Sequence, residues 1–418
     1  MRVVEGRVFY RGELQDLCVG IEDGKIAALR KTLRGDEGHS DFGNRLILPG
    51  GIDIHVHFRD PGMTEKEDFA SGTRSAAIGG VTTVFDMPNT IPPATTATAL
   101  REKLSAVKGR AHVDFGLYAG VAAAPGRLLT SLRKEPLASG LKVYTAESTG
   151  GLAPKWAQVP AILEGLAETD LPVLVHAEDP SLFGLPGKDL RGHDLARPVT
   201  AEASAVDVVA SSNGGAHITH VTAIEGLEAV RRFHLACDVT PHHLLFDTDS
   251  GAGARLKVNP PLRAPRHRAR LWEAFVAGEI PIVASDHAPH LPEEKERFDE
   301  AASGTPGVAT TYPVLLRLVK SGELPLSRLV DAFCTRPAAM FGLNKGQIEI
   351  GRDADLAVFD PGQVTKITAK RTGYKCGWTA FEGLEAVFPE AVFVRGATVV
   401  RGDDVDEENA GQPVAQTP

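Results

Sequence analysis

The chain has 418 residues, 43% of them hydrophobic and 24% charged, enough to bury the core of one large domain with an accessory piece or of two to three domains. Its 45 basic and 54 acidic residues leave a formal net charge of −9, which argues against a nucleic-acid or anionic-membrane surface. Cys18, Cys237, Cys334 and Cys376 show no CxxC pairing, which points away from a disulfide framework or a zinc ribbon and toward a reducing compartment.

In chain order, the first 45 residues alternate apolar and polar positions between turn signals, predicting short antiparallel strands at 3–10, 17–21 and 25–29, with Asp23-Gly24 as the hairpin turn. Neither a signal-peptide core nor a membrane-spanning apolar run is evident, so a cytoplasmic protein is expected. From there the rhythm changes to apolar strands alternating with helical segments. Candidate strands are 52–56, 82–87, 114–118, 141–144, 173–176, 217–220, 238–240 and 282–285. Eight such units predict an α/β fold, a (β/α)8 TIM-like barrel over residues 51–343, with function at the C-terminal ends of the strands. A doubly wound open sheet is the competing architecture, but no GxGxxG follows the first strand to support it. Strand texture returns in "DADLAVFDPG" and "AVFVRGATVVRGD", so residues 1–50 and 344–404 are expected to form one small β-sandwich domain from both ends of the chain. Residues 405–418 read as a flexible acidic and polar tail.

The chemistry-bearing residues gather at predicted strand ends. His55 and His57 end the first strand, and a period of two aims both to the same side. His176 ends the fifth strand, His220 ends the sixth and Asp286 follows the eighth. Lys142 sits inside the fourth, where a lone ammonium is costly. A metal centre would satisfy these groups, and nitrogen and oxygen ligands without thiolates suit Zn²⁺ or a similar divalent ion. His217, His242, His243 and His287 are read as structural neighbours of that site. His39, His112, His193, His234 and His267 are assigned to the surface or to loops.

The stretches "GGIDIHVHFRDPG", "VFDMPNT", "GLKVY", "VLVHAED", "THVT", "NPPLR" and "ASDHAPHLPEEK" resemble the dihydroorotases of the amidohydrolase superfamily, in their lysine-bearing branch, from about residue 48 to 383. The resemblance implies an enzyme that interconverts N-carbamoyl-L-aspartate and L-dihydroorotate, the ring-closing step of pyrimidine synthesis. It implies two zinc ions, one on His55 and His57, the other on His176 and His220, bridged by Lys142 carboxylated on its amine. Asp286 would complete the ligands of the first ion and serve as general base and then general acid for a bridging hydroxide. Arg59 would fork onto the substrate carboxylate, and Asn89 and His290 match further carboxylate contacts. Asn259 matches a ring contact, and Ser148 and Thr149 fall where a lid loop would cover the substrate.

Departures and alternatives belong to the same reading. A Gly-Leu-Glu-Thr run of relatives is Gly307-Val308-Ala309-Thr310 here, so a Glu is missing at Ala309. Asp238 matches an acidic position near a third metal in some relatives, with an ordinary supporting role as the simpler expectation. A hydantoinase- or allantoinase-like enzyme is the competing activity, and an inactive scaffold for aspartate transcarbamoylase the competing non-enzymatic role. The expected partner is a small-molecule substrate, with no nucleic acid and no membrane. A homodimer and an association with aspartate transcarbamoylase complete the expectations.

Overall fold

Alternating side chains over the first fifty positions suit strands, whose successive residues point to opposite faces. The computed structural model describes residues 1–147, 151–406 and 410–414, and it places four strands there. They are β1 (Arg2–Tyr10), β2 (Glu13–Glu22), β3 (Lys25–Arg30) and β4 (His39–Pro49). Asp23 and Gly24 join β2 to β3 with φ of 48° and 75°, the two positive angles of a twist-matched hairpin turn.

Eight parallel strands follow, and each meets one of the predicted ones. They are β5 (Gly51–Val56), β6 (Val81–Asp86), β7 (Asp114–Gly120), β8 (Gly140–Tyr144), β9 (Val173–His176), β10 (His217–Ile218), β11 (Ala236–Val239) and β12 (Ile282–Val283). They pair in chain order from β5 to β12, the sequence of a singly wound barrel. No ladder joins β12 to β5 among the described residues. Closure is made by a bridge between Val56 and His287, where the His57 N–H donates to the His287 carbonyl at 2.8 Å. The two-residue phase is plain in β8 and β9: Leu141, Val143, Val173 and Val175 pack outward with helix residues such as Leu100, Ile162 and Val206. The alternate Leu174 packs inward with Phe85 and Tyr118, so Lys142, Tyr144 and His176 share the interior phase. Phe341 stacks on Phe85 with centroids 4.0 Å apart and, with Leu343, fills the floor.

The chain then returns to its beginning. Strands β13 (Leu356–Phe359), β16 (Pro389–Val394), β17 (Ala397–Arg401) and β18 (Asp404–Val405) join β1–β4 in one eight-stranded sheet ordered β18-β17-β16-β13-β4-β1-β2-β3. Between them, β14 (Thr365–Lys366) and β15 (Glu385–Ala386) form a separate ribbon. One face of the large sheet makes its own core from Ile47, Leu356, Val358, Ala391 and Phe393. The alternate residues Leu46, Leu48, Ala357, Phe359, Val392 and Val394 pack into the core of the barrel. One set of strands thus carries two cores.

A buried ion network ties sheet to barrel. Lys345 Nζ lies 2.8 Å from Asp114 of β7, 2.5 Å from Asp355 beside β13 and 3.3 Å from Asp353. Burial works against this ammonium, yet Asp355 and Asp114 hold its pKa above the ordinary lysine value. The tail expectation needs correction at its described end. Gly411 N–H donates to the Ala111 carbonyl, the Phe115 and Val414 amides exchange bonds with Gln412 and Phe115, and Val414 joins the floor. An apolar Val within a polar tail is the residue that finds a place to bury. Replacing Lys345 with Met strips two buried carboxylates of their shared cation. The expected cost is about 3–5 kcal/mol of unfolding free energy, measured by urea denaturation.

Candidate active site

The site begins with an irregularity in a strand. The β5–β6 ladder breaks register between Asp53 and Val56, and such bulges re-aim the side chains beyond them. Ile52 and Ile54 belong to the barrel interior, and past the break His55 and His57 face the pocket above it. The buried Asp53 holds the break by accepting the His55 amide at 3.2 Å and the Ser285 amide at 3.0 Å, which links β5 to the end of β12. Burial pushes its pKa up to about 7.

The other side chains converge from β8, β9 and the turns after β10 and β12. His55 Nε2 and His57 Nε2 lie 3.2 Å and 3.1 Å from Asp286 Oδ1. Across the pocket His176 Nδ1 lies 3.2 Å from His220 Nε2. Ring centroids are 5.2 Å apart for His55–His57, 5.4 Å for His55–His220 and 4.8 Å for His176–His220. Lys142 is fully buried and donates to Thr219 Oγ1 at 3.0 Å. Burial pushes its pKa down to about 8, against the pull of Asp286 and Asp238, so a share of it is free amine near neutrality. Burial and the Lys142 charge hold His55 well below the usual histidine value; burial and the neighbouring His176 do the same for His220. Both shifts favour the neutral ring, the form that binds metals. Burial pushes Asp286 up, but His55, His57 and His220 outweigh it and keep the carboxylate ionised.

This donor set fits a metal. Neutral imidazoles and a carboxylate present more lone pairs than protons to one buried space, and the ligand atoms of His55, His57 and Asp286 lie within 4.8 Å of one another. Three of the candidate ligands, His57, His176 and His220, are also held from behind. Asn89 Oδ1 accepts from His57 Nδ1 at 2.6 Å, which leaves Nε2 as the lone-pair nitrogen. Glu178 accepts from His176 Nε2 at 2.7 Å and is itself held by Arg197. Asp238 spends one oxygen on His217 at 2.8 Å and the other on the His220 amide at 2.7 Å. That engagement makes Asp238 a support of His220.

The cluster opens into a small pocket that is also lined by Arg59, Asn89, Tyr144, Asn259, Ser303 and Gly304. Arg59 is buried, with Nε on the Pro289 carbonyl at 3.2 Å, Nη2 facing His290 Nε2 at 3.2 Å, and Nη1 without a hydrogen-bond partner. Of seven non-glycine residues with positive φ among the described residues, three are Arg59 (61°), His220 (43°) and Asp286 (46°). Backbone strain persists only where the surroundings over-determine it, and here it concentrates in the candidate site. Ser148 and Thr149 lie outside the described residues. Ala309 packs in the hydrophobic core against Gly79, away from the pocket lining. Three histidines assigned to surface or loops are buried instead: His112, His193 and His267. His193 Nε2 sits 3.0 Å from both Asn259 Oδ1 and the Val258 carbonyl, so it supports the pocket wall. Asp53 and Glu178 escaped the sequence reading although each stands two residues from a candidate ligand, in "DIH" and "HAE". Nothing in the sequence marks Ser303 and Gly304.

A parallel barrel with this buried cluster at its strand ends defines a class of barrel hydrolases, and the chain belongs to the amidohydrolase family, whose model matches residues 46–399. Within that family its relatives include proteins named dihydroorotase. That of Halobacterium salinarum is 39% identical, covering 97% of this chain and 98% of the relative, and that of Methanosarcina acetivorans is 37% identical, covering 96% and 92%. Among solved structures, an L-hydantoinase (dihydropyrimidinase) from Arthrobacter aurescens superposes with a TM-score of 0.92 at 30% identity, covering 98% of each chain. Among the described residues no helix is long and apolar enough to cross a membrane. If Glu178 orients a metal-binding His176, Glu178→Gln should weaken divalent-metal affinity by about 10- to 100-fold, read by titration with a chromophoric chelator.

Proposed function

We propose that this chain is a dihydroorotase, interconverting L-dihydroorotate and N-carbamoyl-L-aspartate in pyrimidine synthesis. One observation carries the reading: a buried arginine with an unpartnered Nη1 shares a pocket with the His/Asp cluster. A buried guanidinium needs an anion, and both of these molecules carry a carboxylate beside the amide that reacts. The dihydroorotases among the relatives support the same substrate. The likeness to hydantoinases favours a second reading, a neutral cyclic amide as substrate, but that would offer Arg59 Nη1 no carboxylate to bind.

In this reading His55, His57 and Asp286 would hold one Zn²⁺ or similar ion, and His176 and His220 would hold the other. Lys142, once its free amine has added to carbon dioxide, forming an N–C bond and releasing one proton, would be a carbamate anion able to ligate there. That modification replaces a buried cation with a ligand. When bound, the ions supply Lewis acidity and water activation at neutral pH. Arg59 holds the substrate carboxylate by a two-pronged contact, and Asn89 and His290 stand beside it. In the hydrolytic direction the Asp286 carboxylate takes the proton of the attacking water and returns it to the departing ring nitrogen; ring closure reverses those transfers. Asn259 borders the ring.

The purified protein should turn over substrate in both directions, lose activity on chelation and regain it with Zn²⁺ and bicarbonate. Hydantoin should react far more slowly, and the reverse preference would overturn the assignment. Asp286→Asn should cost about 10²- to 10⁴-fold in kcat. Arg59→Met should raise KM by about 10- to 100-fold, the value of a charge-assisted pair, with metal content unchanged by atomic absorption.

A further inference from the structure

The motif "ASDHAPHLPEEK" ends in Lys295, which the reaction above leaves unused. Lys295 closes the short turn Pro292–Lys295 and is 5% exposed. Its ammonium donates to three backbone carbonyls: Ala302 at 2.7 Å, Gly304 at 2.9 Å and Lys257 at 3.1 Å. Three protons thus meet three acceptors, the full capacity of the group. Two of those carbonyls flank Ser303, and Ser303 and Gly304 line the pocket. The third belongs to Lys257, two residues before the pocket residue Asn259, and it also accepts the Gly304 amide at 2.9 Å. The Ser303 carbonyl in turn lies 3.1 Å from His290 Nε2, the nitrogen that faces Arg59.

The wall is tied at its ends as well, by the Ala302 amide on the Glu294 carbonyl at 3.2 Å and the Ala288 amide on the Thr305 carbonyl at 3.0 Å, while Lys295 gathers the carbonyls between them. Gly304 has φ of 144°, and a Cβ there would fall 2.6 Å from the Ala288 carbonyl oxygen and 3.0 Å from His290 Nε2. The backbone therefore comes close to His290 with no side chain of its own to lock it. Burial pushes Lys295 down to about 7, Lys257 adding repulsion and Glu294 opposing it. A buried cation bonded only to carbonyls is a poor way to gain stability, since an apolar side chain of similar size avoids the desolvation cost. Its value lies in where it holds those carbonyls.

We propose that Lys295 is a positioning residue for substrate affinity: it draws the 302–304 backbone and the Lys257 loop together and, through Ser303, sets His290 and Arg59 for the substrate carboxylate. This role rests on the dihydroorotase reading. The test compares Lys295→Met and Lys295→Arg in the metal-loaded enzyme by dihydroorotate kinetics and by hydrogen exchange of the peptide spanning residues 301–305. K295M should raise KM by about tenfold while kcat stays within about threefold, and amides of that peptide should exchange about tenfold faster. K295R, which keeps the charge and the donors, should return KM to within about threefold of wild type. An unchanged KM in K295M overturns the proposal, as does a loss of kcat and Tm without a rise in KM, the mark of a merely structural lysine. If K295M does not fold, K295Q, with two donors left, is judged by the same criteria. A wild-type enzyme inert toward dihydroorotate overturns the assigned reaction instead, which separates the two failures.

Discussion

Lys142 sits fully buried in β8 with Thr219 as its hydrogen-bond partner, under four imidazoles and one carboxylate. As an ammonium it pushes protons off His55 and His220 and draws on the charge of Asp286 and Asp238, so the ionisation of the whole cluster is coupled to its state. Low dielectric makes each of these interactions stronger than it would be in water. A group so costly to bury belongs in a barrel only where its chemistry is used. Neutral rings, an ionised Asp286 and a lysine with a depressed pKa are the states a metal site requires.

Around that centre the protein spends polar groups on orientation. Asn89 sets the tautomer of His57, Glu178 that of His176, Asp238 the backbone of His220, and Asp53 the bulge under His55. Each helper comes from a different strand or strand end; Asn89 and Glu178 fix imidazole rings, and Asp238 and Asp53 fix the backbone that carries them. Left-handed backbone at His220 and Asp286 places those residues above the sheet at turns that carboxylates and amides then lock. The sheet built from both ends of the chain serves the same purpose at a distance. It packs one face on the barrel and anchors the floor of β7 through Lys345, while the rim is left to function.

The barrel strands were legible because a parallel strand buried on both faces is written as an apolar run between turn signals, and all eight were found at or within two residues of their starts. The candidate ligands were legible because a period of two and a strand end assign a direction to a side chain. The buried state of His193 and His267 was not, since each stands among polar neighbours and is buried by segments far away in sequence, the 258–259 loop and the helix start near Ile224. The docking of residues 410–414 escaped for the same reason: a short polar stretch carries no periodicity, and its partners, the backbone of Ala111 and Phe115 and the side chains of Asp114 and Arg395, lie on remote segments of the chain or, for Arg395, in the turn after β16.

By itself the sequence determined which residue types stand at which strand ends, because local pattern decides strand, turn and phase. The tertiary structure alone decided which of these groups meet, since closing a barrel brings β5 beside β12 and so joins His55 and His57 to Asp286 across more than two hundred residues. It also decided the pocket walls at Ser303 and Gly304, the ring contacts and the orienting carboxylates. Those depend on backbone geometry and on distances between remote segments, and no local pattern encodes them.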